Sequence, residues 1–202
     1  MSVVSIIGRA NVGKSTLFNR LVGHRRSIVD DMPGVTRDRI FADVSIDGRK
    51  ITLVDTGGLG LDPIDQISGK VGQQIQSAAE DSDCVLLVVD ARAGLTHQDQ
   101  AVVDLLRPLG KKVIVVANKF DPSSKESKQK DAILADFYAM GLPLILPVSA
   151  EHAVGFDELR SQIVETLGVD PDDAAEAESS SVRLAFMGRP NAGKSSLINR
   201  LL

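Results

Sequence analysis

The feature that most constrains the fold is an eight-residue loop near the start of the chain, Gly8-Arg9-Ala10-Asn11-Val12-Gly13-Lys14-Ser15. It follows the apolar run Val3 to Ile7 and continues into Thr16-Leu17-Phe18, which predicts the order strand, phosphate-binding loop, helix. The glycines let backbone N–H groups approach phosphate oxygens, and the positive end of the helix points at the same anion. Lys14 is the predicted cation for the terminal phosphates, and Ser15 is the predicted hydroxyl ligand of magnesium.

The composition is that of a globular protein with a sizeable core, because 43% of the 202 residues are apolar. The 23 basic and 27 acidic side chains give a net charge of −4, so the overall charge does not favour binding to nucleic acid. We expect no contact with DNA, and any contact with RNA would need a local basic patch. No apolar run approaches the length of a membrane span, and the sequence opens directly on its first strand without a basic, apolar leader. We therefore expect a cytoplasmic protein that has no contact with a membrane.

Strand patterns predict an α/β fold. Three continuous apolar runs, Val85 to Val89, Val113 to Ala117 and Leu144 to Val148, are typical of strands buried on both faces. Phe41 to Ile46 and Lys50 to Val54 are joined through Asp47-Gly48, which predicts an antiparallel hairpin. With the first strand, these runs predict a mostly parallel six-stranded sheet with one antiparallel edge strand and helices on both faces.

Helical patterns separate the apolar runs. Thr96 and Asp99 have the spacing of an N-terminal capping pair, and Ser123 and Glu126 predict a capping box for a later helix. The last helical pattern, Phe156 to Leu167, is closed by Gly168. This alternation of strands and helices predicts that the sheet is covered on both faces.

The nature of the base is indicated by Asn118-Lys119-Phe120-Asp121, which follows a buried strand at the edge where such sheets bind ligands. Asp121 can accept two hydrogen bonds from guanine N1–H and its exocyclic amine, a donor pair that adenine lacks. Ser149-Ala150-Glu151 ends the next buried run, and the N–H of Ala150 is a candidate donor to guanine O6. The sequence therefore predicts guanine selectivity.

The metal and the terminal phosphate are assigned to two further stretches. Asp55 ends its strand where a carboxylate can hold magnesium through water, and the N–H of Gly58 can reach the γ-phosphate. Thr36, between the first helix and the hairpin, is the candidate second hydroxyl on magnesium. Residues 24–39 and 59–68 have no clear period, so we expect them to be loops that respond to the nucleotide.

An internal repeat indicates tandem domains. Residues 169–181 are acidic and lack large apolar groups, which is typical of a linker. After the linker, Gly188-Arg189-Pro190-Asn191-Ala192-Gly193-Lys194-Ser195 repeats the opening loop. We expect a first nucleotide-binding domain over residues 1–168, the linker, and the start of a second domain over residues 182–202. The chain is thus expected to be part of a longer protein.

Taken in order, these stretches resemble a translation-factor-type GTPase. The doubled Asn-x-Gly-Lys-Ser loops, together with Pro33-Gly34-Val35-Thr36-Arg37-Asp38-Arg39 and Val54-Asp55-Thr56-Gly57-Gly58-Leu59, closely resemble the bacterial Der (EngA) family. The predicted GTP- and GDP-binding residues are Gly8, Arg9, Ala10, Asn11, Val12, Gly13, Lys14, Ser15, Thr16, Asp55, Thr56, Gly57, Gly58, Leu59, Asn118, Lys119, Phe120, Asp121, Ser149, Ala150 and Glu151. Lys14, Thr36, Gly58 and Asn11 are the predicted catalytic residues, and Ser15, Thr36 and Asp55 are the predicted magnesium ligands.

The resemblance implies a P-loop GTPase with two G domains and a KH-like domain, which assists maturation of the large ribosomal subunit. It also implies a potassium ion held by Asn11, because Leu59 stands where many switch GTPases have a water-orienting glutamine. For the full-length protein, the implied partners are the RNA and proteins of the large ribosomal subunit. We expect the part of the protein that this chain comprises to be monomeric. The alternatives are a nucleotide-dependent assembly module with incidental hydrolysis and a related GTPase of tRNA modification.

Overall fold

A computed structural model describes residues 1–23, 27–28, 39–56, 69–120 and 130–168, with the side chains of 27, 28, 70, 71 and 130–133 left aside. The contacts between residues divide the chain into two units, Met1–Gly168 and Val169–Leu202. All described residues belong to the first unit. The predicted linker and the second copy of the phosphate loop lie outside the described residues.

The described part of the first unit is an alternation of strands and helices. The strands are β1 (Ser2–Ile7), β2 (Ser27–Ile28), β3 (Ile40–Ile46), β4 (Arg49–Asp55), β5 (Cys84–Asp90), β6 (Lys112–Asn118) and β7 (Ile145–Pro147). The α-helices are α1 (Lys14–Val22), α2 (Lys70–Glu80), α3 (His97–Leu106), α4 (Lys130–Tyr138) and α5 (Phe156–Leu167). A short 3₁₀ helix, Arg107–Leu109, follows α3.

The strands form one sheet in the order β2-β3-β4-β1-β5-β6-β7. The pairs β4–β1, β1–β5, β5–β6 and β6–β7 are parallel, whereas β3 is antiparallel to both β4 and β2. This arrangement confirms the predicted mostly parallel α/β sheet. The strand count differs, because β2 adds a seventh strand outside β3, so β3 is not the edge. Two residues are too few to produce a periodic pattern, which is why the sequence did not predict β2.

Both faces of the sheet are buried, and β5 shows why its sequence is continuously apolar. Alternate β5 residues belong to different hydrophobic clusters: Cys84, Leu86 and Val88 pack with α1 and α5, while Val85, Leu87 and Val89 pack with α2, α3 and α4. Successive side chains on a strand point to opposite faces, so a strand covered on both sides needs apolar residues at every position. The sheet thus lies between two layers of helices.

Two local predictions are confirmed. Asp47 and Gly48 both have positive φ, 49° and 87°, as a two-residue hairpin turn between β3 and β4 requires. Thr96 accepts from the backbone N–H of Asp99, and the Asp99 carboxylate accepts from the backbone N–H of Thr96, which completes a capping box on α3. The pair Ser123 and Glu126 lies outside the described residues. No helix in the described ranges is long and apolar enough to cross a bilayer.

Candidate functional site

The loop between β1 and α1 has the backbone of a phosphate cradle. Gly13 is left-handed, with φ of 94°, and a Cβ on it would collide with Asn118 Nδ2. A Cβ on Gly8 would collide with the carbonyl oxygen of Val88, so both glycines are required by close packing. The N-terminus of α1 has no side-chain cap and no acidic residue in its first turn. Its N–H groups are therefore arranged to receive an external anion.

Lys14 is the buried cation of this cradle. Its side chain is 6% exposed, and Nζ donates to the carbonyl oxygen of Arg9 at 2.8 Å. Burial lowers the pKa of Lys14, the Asp55 carboxylate raises it, and the Arg9 guanidinium lowers it, with a net downward shift. Since a buried ammonium is stabilised by negative charge, a phosphate at this loop would favour its charged form.

Arg9, the second residue of the loop, directs its side chain away from the cradle. Its Nε lies 3.4 Å from Asp99 Oδ1, and Asp99 is 1% exposed at the start of α3. This ion pair joins the loop to the capped end of α3. In the described structure, Arg9 therefore serves the predicted site through its backbone, whose carbonyl holds Lys14.

Asn118 joins three of the predicted stretches. It is 2% exposed at the carboxyl end of β6, and its Nδ2 donates to the carbonyl oxygen of Val12 at 2.8 Å. Its Oδ1 accepts from the backbone N–H of Ala150 at 2.9 Å. One amide thus connects the phosphate loop, the predicted base motif and the loop after β7. The Ala150 N–H, which is predicted from the sequence as a donor to guanine O6, donates to Asn118 Oδ1 in this structure.

The neighbouring residues complete this edge of the sheet. Lys119 has φ of 64°, and its Nζ donates to the carbonyl oxygen of Asn11 at 2.6 Å and to Asp90 Oδ2 at 2.8 Å. Phe120 is buried, and its backbone N–H donates to the carbonyl oxygen of Val148 at 3.1 Å. The base motif is therefore attached both to the phosphate loop, through Lys119, and to Val148, the residue directly after β7.

The loop after β7 is held from outside the predicted site. Arg20, on the last turn of α1, donates from Nε to the carbonyl oxygen of Ala150 at 3.0 Å and from Nη2 to that of Glu151 at 2.7 Å. Ser149 pairs with Val154 through two backbone hydrogen bonds of 3.0 and 3.2 Å. These contacts give the short Ser149-Ala150-Glu151 stretch a fixed backbone.

The predicted magnesium ligands Ser15 and Asp55 line one cavity of about 190 Å³, between α1 and strands β3 and β4. Asp55 is 1% exposed at the end of β4, and Ser15 is exposed in the first turn of α1. A carboxylate and a hydroxyl oxygen suit the hard-ligand preference of magnesium, so the residues present fit that ion. Thr56, the next residue, donates its hydroxyl to the carbonyl oxygen of Ile6 at 2.7 Å and so fixes the end of β4 against β1.

The comparisons with known proteins decide the family. A family model described as a 50S ribosome-binding GTPase matches residues 3–119 and 183–202, more than half of the chain. The chain belongs to this family of ribosome-binding GTPases. The second matched range contains the repeated loop, Gly188 to Ser195.

Curated relatives place this GTPase within the Der family, as the resemblance predicted. GTPase Der from Caldanaerobacter subterraneus is 46% identical over 201 residues, and GTPase Der from Myxococcus xanthus is 47% identical over 203 residues. The matches cover 100% and 99% of this chain but only 44% of each relative. The chain therefore spans less than half the length of these relatives.

Solved structures confirm the P-loop GTPase fold. Aquifex aeolicus Era, crystallised with GDP·AlF4−, has a TM-score of 0.64 and 31% identity, covering 84% of this chain and 58% of that one. The G domain of the T. maritima FeoB iron transporter has a TM-score of 0.57 and 28% identity, with 82% and 98% covered. A second Era structure contains MgGDPNP and a segment of 16S ribosomal RNA, with a TM-score of 0.63 and 31% identity, covering 85% of this chain and 60% of that one.

Within this GTPase the predicted site residues divide into two groups. The described structure brings the loop Gly8 to Thr16, Asp55-Thr56, Asn118-Lys119-Phe120 and Ser149-Ala150-Glu151 to the carboxyl edge of the sheet. Thr36, Gly57, Gly58, Leu59 and Asp121 lie outside the described residues.

Two positioning contacts were not predicted from the sequence. Asp90 is the last residue of β5, and its carboxylate accepts a hydrogen bond from Lys119. Arg20 donates hydrogen bonds to the carbonyl oxygens of Ala150 and Glu151. Asp90 could have been found, because it follows a buried strand as Asp55 and Asn118 do. Arg20 carries no such signal, since its place on the exposed face of α1 does not indicate which distant carbonyls it contacts.

Proposed function

We propose that this chain binds GTP with magnesium and hydrolyses it to GDP and phosphate as a molecular switch. The observation that carries the proposal is the position of Asn118, whose amide hydrogen-bonds the phosphate loop on one side and the loop after β7 on the other. Such a residue links a phosphate-binding end to a base-binding end. Membership of a GTPase family supports the same function.

Base selection is assigned to Asp121, which follows the buried Phe120. A carboxylate that pairs with guanine N1–H and the exocyclic amine rejects adenine because its acceptors would remain unpaired. The predicted contact of the Ala150 N–H with guanine O6 requires that N–H to be shared with, or released from, Asn118. We therefore assign most of the discrimination to Asp121.

Magnesium is assigned to Ser15 and Asp55, with Thr36 as the predicted further ligand. The shared cavity of Ser15 and the buried carboxylate of Asp55 support this assignment. When bound, the ion neutralises charge between the terminal phosphates. Lys14 supplies a second positive charge from the protein, and the N–H groups at the start of α1 orient the phosphate oxygens. The stretches around Thr36 and Gly58 would change conformation when GTP is hydrolysed, and this change would alter the binding of partners.

A potassium ion held by Asn11 is the proposed charge stabiliser. Leu59 cannot orient a water by hydrogen bonding, and an arginine finger, worth about 10³ to 10⁵ in rate where it exists, is not evident from the sequence. Asn11 is exposed in the phosphate loop, so its side-chain oxygen is accessible to an ion.

The potassium proposal is tested by steady-state GTP turnover at constant ionic strength in potassium and then in sodium. We expect faster turnover in potassium, because sodium is too small to span the same oxygens, and we expect Asn11→Ala to remove the difference. Equal rates in the two salts, or full stimulation retained in Asn11→Ala, would eliminate the mechanism.

For the whole protein we propose a role in assembly of the large ribosomal subunit. The family description, which names 50S ribosome binding, and the similarity to GTPase Der support it. Single-turnover hydrolysis by the full-length protein, with and without large subunits, tests the switch. A change in rate or nucleotide affinity on adding subunits supports it. Without any change, the alternative of an assembly module with incidental hydrolysis is favoured, and stimulation by tRNA instead would favour a tRNA-modification GTPase.

We propose that this part of the protein is monomeric and cytoplasmic. The domain organisation proposed with this function is a first G domain over residues 1–168, a linker over 169–181 and the start of a second G domain over 182–202. The repeat of the phosphate loop supports it. Limited proteolysis of the full-length protein should cut first within 169–181, and initial cuts inside 1–168 would contradict this arrangement.

A further inference from the structure

Asp90 lies at the carboxyl end of β5, directly opposite Asn118 in the register of β5 and β6. Its two carboxylate oxygens have different partners. Oδ1 accepts from the backbone N–H groups of Arg92 and Ala93, at 3.0 and 3.3 Å, and so forms the turn after β5. Oδ2 accepts from Lys119 Nζ at 2.8 Å. One oxygen therefore maintains a turn while the other holds a cation of the predicted base motif.

Lys119 extends this contact to the phosphate loop. The same Nζ that meets Asp90 donates to the carbonyl oxygen of Asn11 at 2.6 Å. Asn11 has φ of 63°, a conformation that L residues seldom adopt, so its peptide depends on surrounding contacts. A continuous polar chain thus runs from Asp90 through Lys119 to Asn11.

The charge on Asp90 is favoured where it lies. Burial raises the pKa of this carboxyl. The hydrogen bond from Lys119, the backbone donors of Arg92 and Ala93, and the positive charge of Lys119 lower the pKa by more than burial raises it, so the net shift is downward. Asp90 is therefore a carboxylate at neutral pH. Its side chain is 12% exposed and that of Lys119 is 36% exposed, so the pair is only partly screened by water.

We propose that Asp90 is a positioning residue for guanine-nucleotide binding, acting through the Lys119 ammonium to fix the Asn11 carbonyl and thereby couple the base motif to the phosphate loop. This inference rests on the proposed function. A lysine stem is long and rotatable, so a carboxylate that orients its ammonium reduces the ordering required when the nucleotide binds. Asp90 itself touches no reacting atom.

The simpler role for Asp90 is maintenance of the turn through Oδ1. Asp90→Asn separates the two roles, because an asparagine oxygen can still accept from Arg92 and Ala93. The amide nitrogen would then face Lys119 Nζ, placing a donor against a donor and removing the charge. A purely structural Asp90 would tolerate this substitution, whereas a positioning Asp90 would not.

The test is a double-mutant cycle on the affinity for a fluorescent N-methylanthraniloyl GDP, using Asp90→Asn, Lys119→Met and the double variant. In the background with Lys119, we expect Asp90→Asn to weaken binding about tenfold, the size of one charge-assisted hydrogen bond. In the Lys119→Met background, we expect the same substitution to have no further effect, because its target is gone. Asp104→Asn is the matched control, since Asp104 is an exposed carboxylate of α3 that pairs with Arg107 at 3.8 Å.

Each outcome assigns a cause. Two results would overturn the inference. One is an unchanged affinity for the labelled GDP in Asp90→Asn. The other is an equal loss of affinity with and without the Lys119 side chain, because the loss would then come from the turn that Asp90 Oδ1 maintains. A wild-type chain that fails to bind GDP would instead overturn the proposed function. Thermal unfolding of each variant shows whether it is folded. A folded Asp90→Asn variant that binds more weakly than wild type only when Lys119 is present supports the inference.

Discussion

Replacing Asn118 with alanine should both destabilise the domain and weaken nucleotide binding. The substitution removes two hydrogen bonds and leaves the carbonyl of Val12 and the N–H of Ala150 without their partner, in residues that are 0% and 1% exposed. An unsatisfied buried group costs about 1–3 kcal/mol, so the two together should lower the free energy of unfolding by about 2–6 kcal/mol. Against a typical total of about 5–15 kcal/mol, this is a large loss.

The measurement is thermal unfolding followed by far-UV circular dichroism, because the chain contains no tryptophan for intrinsic fluorescence. We expect the midpoint to fall by about 10 °C, given a shift of about 2–4 °C per kcal/mol for a domain of this size. Val116→Ala is the matched control: it lies on the same strand, is 0% exposed, and should cost about 2 kcal/mol through lost packing.

Nucleotide affinity then separates the two variants. Asn118→Ala should weaken GDP binding at least about tenfold, because the phosphate loop and the loop after β7 are no longer held together, whereas folded Val116→Ala should bind normally. Two results would refute the reasoning. One is a midpoint for Asn118→Ala close to that of wild type, and the other is equal weakening of GDP binding in both variants.

Two further substitutions test the remaining assignments. Lys14→Ala should abolish GTP binding while Lys194→Ala leaves it unchanged, because only the first copy of the loop is followed within this chain by the other predicted site residues; fluorescence titration checks this, and comparable losses would contradict it. Asp121→Asn should lose GTP and gain xanthosine triphosphate, because an amide donor can meet the additional carbonyl of xanthine; unchanged GTP affinity would move base recognition to another residue.

Much of the fold was predictable because its signals are local. A strand covered on both faces must be apolar at every position, and β5 has this pattern over consecutive residues. The turn at Asp47-Gly48 and the capping box at Thr96 each depend on residues within four positions of one another. Strand β2 has only two residues, so it offers no period to detect, and its pairing with β3 depends on tertiary placement.

The candidate site was predictable in its motifs but not in the contacts that join them. Asn118 and Val12 are 106 residues apart in sequence, and Arg20 and Ala150 are 130 apart. The partners meet because parallel strands bring their carboxyl ends to one edge, which the sequence indicates only in general. Which atom meets which depends on register: the pairing of Asp90 with Asn118 across β5 and β6 places the carboxylate beside Lys119.

Asp99 illustrates the same division within one side chain. Its Oδ2 completes the capping box with Thr96, which a spacing of three residues predicts. Its Oδ1 lies 3.4 Å from Arg9 Nε, and no spacing predicts this ion pair. Because Asp99 is 1% exposed, removing Arg9 would leave a carboxylate partly satisfied by its capping contacts. Removing the Asp99 side chain would leave the guanidinium of Arg9 without that charge and the backbone N–H of Thr96 without its acceptor, although the bond from the Asp99 N–H to the Thr96 hydroxyl would remain. Asp99 therefore has more contacts to lose than Arg9. We expect Asp99→Ala to lower the midpoint of thermal unfolding more than Arg9→Ala does.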